Sequence, residues 1–159
     1  TQLRRISLRG HGLTGEFPQY VNNGNFRDLN ILILAGNELT GTLPDFNNLQ
    51  SLYSLDVGYN NLTGDIGTIP DLPDHIRIIR ISGNNFSGPF PQSGWPEYSQ
   101  LKTIQMESNA LTGSIPCSFW SKIDNPTLDY AWFQDNKISD PCSSGAEAMQ
   151  GNGKLKLAY

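Results

Sequence analysis

The apolar positions of this chain follow a spacing that belongs neither to a helix nor to a long strand. In LNILILAGNELTGTLP, beginning at Leu29, leucines fall at 29, 32, 34 and 39, with Asn37 between the last two. The same spacing runs through LYSLDVGYNNLTGDIG from Leu52, IRIIRISGNNFSGPFP from Ile76 and LKTIQMESNALTGSIP from Leu101. It is also present in LRRISLRGHGLTGEFP from Leu3 and fades in LDYAWFQDNKISDPC from Leu128. The units start 23 to 27 residues apart. Within each, the L-x-L alternation predicts a strand of a few residues with one face inward. The segment after the asparagine predicts turns.

Six such units inside a 20–29-residue window are the signature of a leucine-rich repeat, L-x-x-L-x-L-x-x-N-x-L-[TS]-G-x-[IL]-P. No unit can bury its leucines alone, so the strands are expected to stack into one parallel sheet. Asn37, Asn60, Asn84, Asn109 and Asn136 follow the strands. An inward amide there can satisfy turn backbone that would otherwise be buried unpaired, which makes these residues a structural ladder. His11 stands in that place in the first unit and reads as a variant rung. In the L-[TS]-G phrase the apolar residue fills the core, the hydroxyl can bond backbone, and glycine permits the bend. Proline then opens the outer connection.

The L-[TS]-G-x-[IL]-P segment resembles the plant-specific class of leucine-rich repeats. The pattern is similar to the ectodomains of plant receptor-like kinases and receptor-like proteins, and to polygalacturonase-inhibiting proteins. The resemblance covers roughly residues 3–142 and implies an α/β-type repeat solenoid: a right-handed superhelix with a concave parallel sheet. Its convex side should be mostly loops, turns and short 3-10 segments, with a second short sheet near the L-[TS]-G phrases. The family's N-terminal cap, with paired cysteines and a tryptophan, is missing, so the first unit is expected to present an uncovered edge where another chain can make contact. Residues 67–76, GTIPDLPDHI, depart from the pattern by placing Gly67 where proline is expected. The repeats assign residues 1–142 to the solenoid, and 143–159 to a C-terminal cap or a linker.

Composition narrows the function classes. Sixteen glycines and ten prolines fit a turn-rich chain, and a formal charge of −4 argues against a nucleic-acid footprint. No apolar run is long enough for membrane insertion of this segment. The two cysteines, Cys117 and Cys142, each follow a proline that closes a unit. Equivalent places in adjacent coils favour a disulfide, although buried free thiols fit the residue type as well. A bridge implies a secreted protein, the extracellular side of the cell surface, or another oxidising lumen. Two sequons, Asn61-Leu-Thr and Asn85-Phe-Ser, place glycan acceptors one residue after ladder asparagines, facing out.

Strand alternation also lays out the concave face. One row reads Arg5, Ile31, Ser54, Ile78, Thr103 and Tyr130; the next reads Ser7, Ile33, Asp56, Arg80, Gln105 and Trp132. A third reads Arg9, Ala35, Gly58, Ser82, Glu107 and Gln134, flanked by Tyr59 and Asp135. Ile31, Ile33 and Ile78 put apolar groups where solvent is expected, and Tyr130 with Trp132 adds an aromatic pair. Arg5, Arg9 and Arg80 can pair with acidic groups of a partner. Asp56 and Glu107 lie two strands, about 10 Å, apart, which is loose even for an inverting carboxylate pair. Neither a metal nor another cofactor is called for, since His11 and His75 lack neighbours at ligand spacing.

The expected function is non-catalytic extracellular recognition of a protein, peptide or oligosaccharide, by part of a longer receptor-like protein. Ligand candidates are Arg5, Arg9, Ile31, Ile33, Asp56, Tyr59, Ile78, Arg80, Gln105, Glu107, Tyr130 and Trp132. The alternatives are an inhibitor of a cell-wall-degrading enzyme and a structural assembly subunit.

Overall fold

The computed structural model describes residues 2–68, 72–73, 75–90, 100–116, 128–138 and 155–156. Its concave sheet comprises β1 (Arg5–Ser7), β3 (Ile31–Ile33), β5 (Ser54–Asp56), β7 (Ile78–Arg80), β9 (Thr103–Gln105), β11 (Tyr130–Trp132) and β13 (Leu155–Lys156). These seven strands are parallel and pair in that order. β13 pairs with β11 through Ala131–Leu155 and Trp132–Lys156, so two residues of the 143–159 segment extend the sheet. Coils 1 to 6 are numbered here by the first six of these strands.

The other strands, β2 (Thr14–Glu16), β4 (Glu38–Thr40), β6 (Thr63–Asp65), β8 (Asn85–Pro89), β10 (Ala110–Gly113) and β12 (Lys137–Ile138), overlap the L-[TS]-G phrases or, for β12, the start of their faded counterpart. They pair as β2–β4 and as β6–β8–β10–β12, joined by a Thr42–Thr63 bridge. Hydroxyls help here: Thr40 Oγ1 donates to the Gly15 carbonyl and Thr63 Oγ1 to that of Gly41. The phrase's glycines, Gly15, Gly41, Gly64, Gly88 and Gly113, all have positive φ, a backbone state that a side chain resists. Among the described residues the helical elements are two 3-10 turns, Gln19–Asn22 and Ile66–Thr68. The second of these falls at Gly67, whose N–H donates to Asp65 Oδ1.

The core is a column of inward side chains. Leu29, Leu52, Ile76, Leu101 and Leu128 open successive coils, and Leu32, Leu55, Ile79, Ile104 and Ala131 sit at the strand centres, all buried. Phe90 packs edge-on against Phe133 at 5.8 Å between ring centroids.

Each ladder asparagine ties two coils together. Asn84 Nδ2 donates to the carbonyls of Ile81 and Ser82 in its own coil and Val57 in the previous one. Its Oδ1 accepts from the N–H of Leu62, also in the previous coil. Asn37, Asn60, Asn109 and Asn136 repeat the scheme. His11 departs from it: its side chain is exposed, and the ring Nδ1 meets only the Arg9 carbonyl. Asn37 Oδ1 accepts from the N–H groups of His11 and Leu13, so the first turn is held by the rung of the next coil.

Candidate concave recognition surface

Strand register sets the surface rows. Arg5, Ile31, Ser54, Ile78, Thr103 and Tyr130 are successive partners, as are Ser7, Ile33, Asp56, Arg80, Gln105 and Trp132. The third row lies beyond the strands but keeps step. Gly36 N–H donates to the Gly58 carbonyl, Tyr59 to Ser82, Gly83 to Glu107 and Ser108 to Gln134. Three rows therefore share one face, at a pitch of about 4.8 Å per coil.

Burial along these rows is uneven. Ile31, Ile33 and Ile78 are half-buried rather than open to solvent, because neighbouring rows are close enough for side chains to cover one another. Gln105 and Arg80 are also half-buried, and Arg80 Nε donates to Gln105 Oε1 at 2.7 Å. Asp56 is buried; it accepts from the Arg9 guanidinium and, more weakly, from the Gly58 N–H at 3.3 Å. Arg9 is exposed and belongs to coil 1, so this ion pair crosses coil 2. Arg5 stays exposed.

The aromatic groups mark the open parts of the face. Tyr130 is 49% exposed and meets half-buried Trp132 edge-to-face at 5.8 Å. Tyr59 is 63% exposed and sits at φ 56°, a left-handed backbone unusual for a bulky residue. Its ring lies against Gly83, where an added Cβ would come within 2.7 Å of Tyr59 Cδ1.

This left-handed residue precedes every rung, and His11 as well: Gly10, Gly36, Tyr59, Gly83, Ser108 and Asp135 all have positive φ. Sequence reasoning passed over it, although the glycines at 10, 36 and 83 are a visible signal.

Glu107, expected at the surface, is buried. Asp56 and Glu107 therefore do not face a common open cleft, and no group of three or more metal-ligating side chains gathers among the described residues. No described helix is long and apolar enough to cross a membrane. Asn61 and Asn85 are exposed beside the second sheet, with Thr63 and Ser87 exposed as well. Cys117 and Cys142 lie outside the described residues.

No protein-family profile matches the chain. Receptor-like protein 41 of Arabidopsis thaliana is 30% identical over 117 residues, covering 72% of this chain and 13% of the relative. This chain thus spans about an eighth of the length of that relative. Among solved structures, a TDR receptor superposes with a TM-score of 0.69 at 29% identity, covering 92% of this chain and 24% of the receptor. The BIR2 ectodomain from Arabidopsis thaliana gives 0.65 at 27% identity, over 87% of this chain and 68% of that one.

Proposed function

We infer that this leucine-rich-repeat solenoid of the plant-specific type is a non-catalytic recognition module of the extracellular surface, which binds a protein or peptide across its concave sheet. The observation that carries this reading is the aromatic content of one face. Tyr59 in coil 3 and Tyr130, beside half-buried Trp132, in coil 6 are exposed, and exposed aromatics on a rigid sheet are typical binding anchors. Arg5, with the half-buried patch of Ile31, Ile33, Ile78 and Arg80, supplies a second contact region. Likeness to a receptor-like protein and to receptor ectodomains supports the same role and the extracellular side.

The test is selection of peptides from a random display library on the whole chain. A double variant, Ile33→Asp with Trp132→Ala, is expected to lose the selected peptides while keeping its melting temperature within a few degrees. Retention of every peptide would place the site elsewhere.

A further inference from the structure

Polar groups on the concave face are mostly matched, as Asp56 is with Arg9 and Arg80 with Gln105. Glu107 and Gln134 break the pattern. Glu107 is only 8% exposed, yet its Oε2 is closed to solvent with no hydrogen-bond partner; Gln134 Oε1 is in the same state. They occupy the same row in adjacent coils, and Ser108 N–H donates to the Gln134 carbonyl between them. Their backbones lie about one strand spacing apart, and a carboxylate oxygen and an amide oxygen can each only accept a hydrogen bond. Leaving both desolvated and unmatched is costly, and a buried polar group of this kind calls for an explanation. Among the described residues the one ion pair is Arg9–Asp56, so no described cation answers Glu107.

The missing partner must offer two donors a few ångströms apart and a positive charge. A guanidinium does both: its planar N–H fork spans two acceptors, and its faces stack on aromatic rings. Rings are at hand in the neighbouring rows, as the Tyr130–Trp132 pair of coil 6.

We propose that Glu107 and Gln134 form a subsite for an arginine side chain of a bound peptide, its guanidinium donating to Glu107 Oε2 and Gln134 Oε1 beside the Tyr130–Trp132 pair. This rests on the concave face being the recognition surface. Both side chains turn outward as the guanidinium arrives, exchanging an unmatched desolvated state for charge-assisted hydrogen bonds.

The test uses three probes on the isotope-labelled whole chain, followed by NMR: N-acetyl-arginine methylamide, its neutral citrulline analogue and the lysine analogue. The arginine probe is expected to shift amides at 107–109 and 134–136 and to bind at least tenfold more tightly than citrulline. Glu107→Gln should erase that difference. The same variant should raise the melting temperature of the free chain, because it removes an unmatched buried charge. Equal binding of arginine and citrulline, shifts elsewhere, equal binding of lysine, or a lowered melting temperature in Glu107→Gln would each overturn the assignment. Library-selected peptides separate this from the broader reading. If they are lost in the Ile33→Asp, Trp132→Ala variant but show no arginine preference, the subsite fails and the concave surface stands. If none is lost, the surface itself fails.

Discussion

Replacing Asn84 by alanine removes one rung of the ladder. Asn84 is 7% exposed, and its amide serves the Val57, Ile81 and Ser82 carbonyls while its oxygen serves the Leu62 N–H. Water has little access, so the change strands at least one buried N–H and one carbonyl. At about 1–3 kcal/mol for each unmatched group, the expected loss is about 2–6 kcal/mol, a large fraction of a domain's stability. Asn136, half-buried in coil 6, admits water more readily and should cost clearly less on the same change.

Guanidinium denaturation followed by circular dichroism measures the total, and amide exchange measures it locally. Leu62 should exchange at least tenfold faster for each 1.4 kcal/mol lost, roughly. Asn84→Asp sharpens the test. It keeps the acceptor for Leu62 but turns an oxygen toward the carbonyls, so it should be no milder than alanine. A loss below about 1 kcal/mol in Asn84→Ala, or equal losses at Asn84 and Asn136, would refute the ladder argument.

Gly83→Ala should destabilise by about 1–2 kcal/mol through its positive φ alone, and further through the clash with Tyr59. Adding Tyr59→Gly should recover the clash component in a double-mutant cycle by denaturation. Ser108→Gly, at φ 56°, should gain about 0.5–1 kcal/mol in the same assay, as relief of the left-handed backbone outweighs the added freedom of the unfolded chain and the loss of a 3.3 Å hydroxyl contact to Asp135. On secretion from plant cells, Asn61→Gln and Asn85→Gln should each remove one glycosidase-sensitive step in gel mobility; a protein that runs alike before and after digestion bears no glycan. For Cys117 and Cys142, the disulfide reading expects maleimide uptake by the secreted, unfolded chain only after reduction.

The repeat and its consequences were legible because each conserved position within the unit has one mechanical task. Spacing gave the strands, alternation gave the three rows, and the asparagines gave the rungs. What could not be read was how much each surface residue is covered. Asp56 and Glu107 look like solvent-facing charges in sequence, but side chains from adjacent coils stand about 4.8 Å apart and shield one another. The Arg9–Asp56 pair joins residues 47 apart across an intervening coil, a reach that spacing within one unit does not show. His11 read as a rung because only its position was visible; its exposed ring meets the Arg9 carbonyl of its own coil.

The stack of β1, β3, β5, β7, β9 and β11 also acts as a ruler. Its graduations are about 4.8 Å apart, whereas same-face side chains of an extended peptide recur at about 6.8 Å. Laid along the axis, the two scales return to step only after about 34 Å, beyond the roughly 24 Å that the six strands span. Such a peptide would meet the solenoid as a vernier, with no two of its residues in equivalent alignment. A periodic frame can thereby read an aperiodic message, and sliding the ligand by one coil spoils the match.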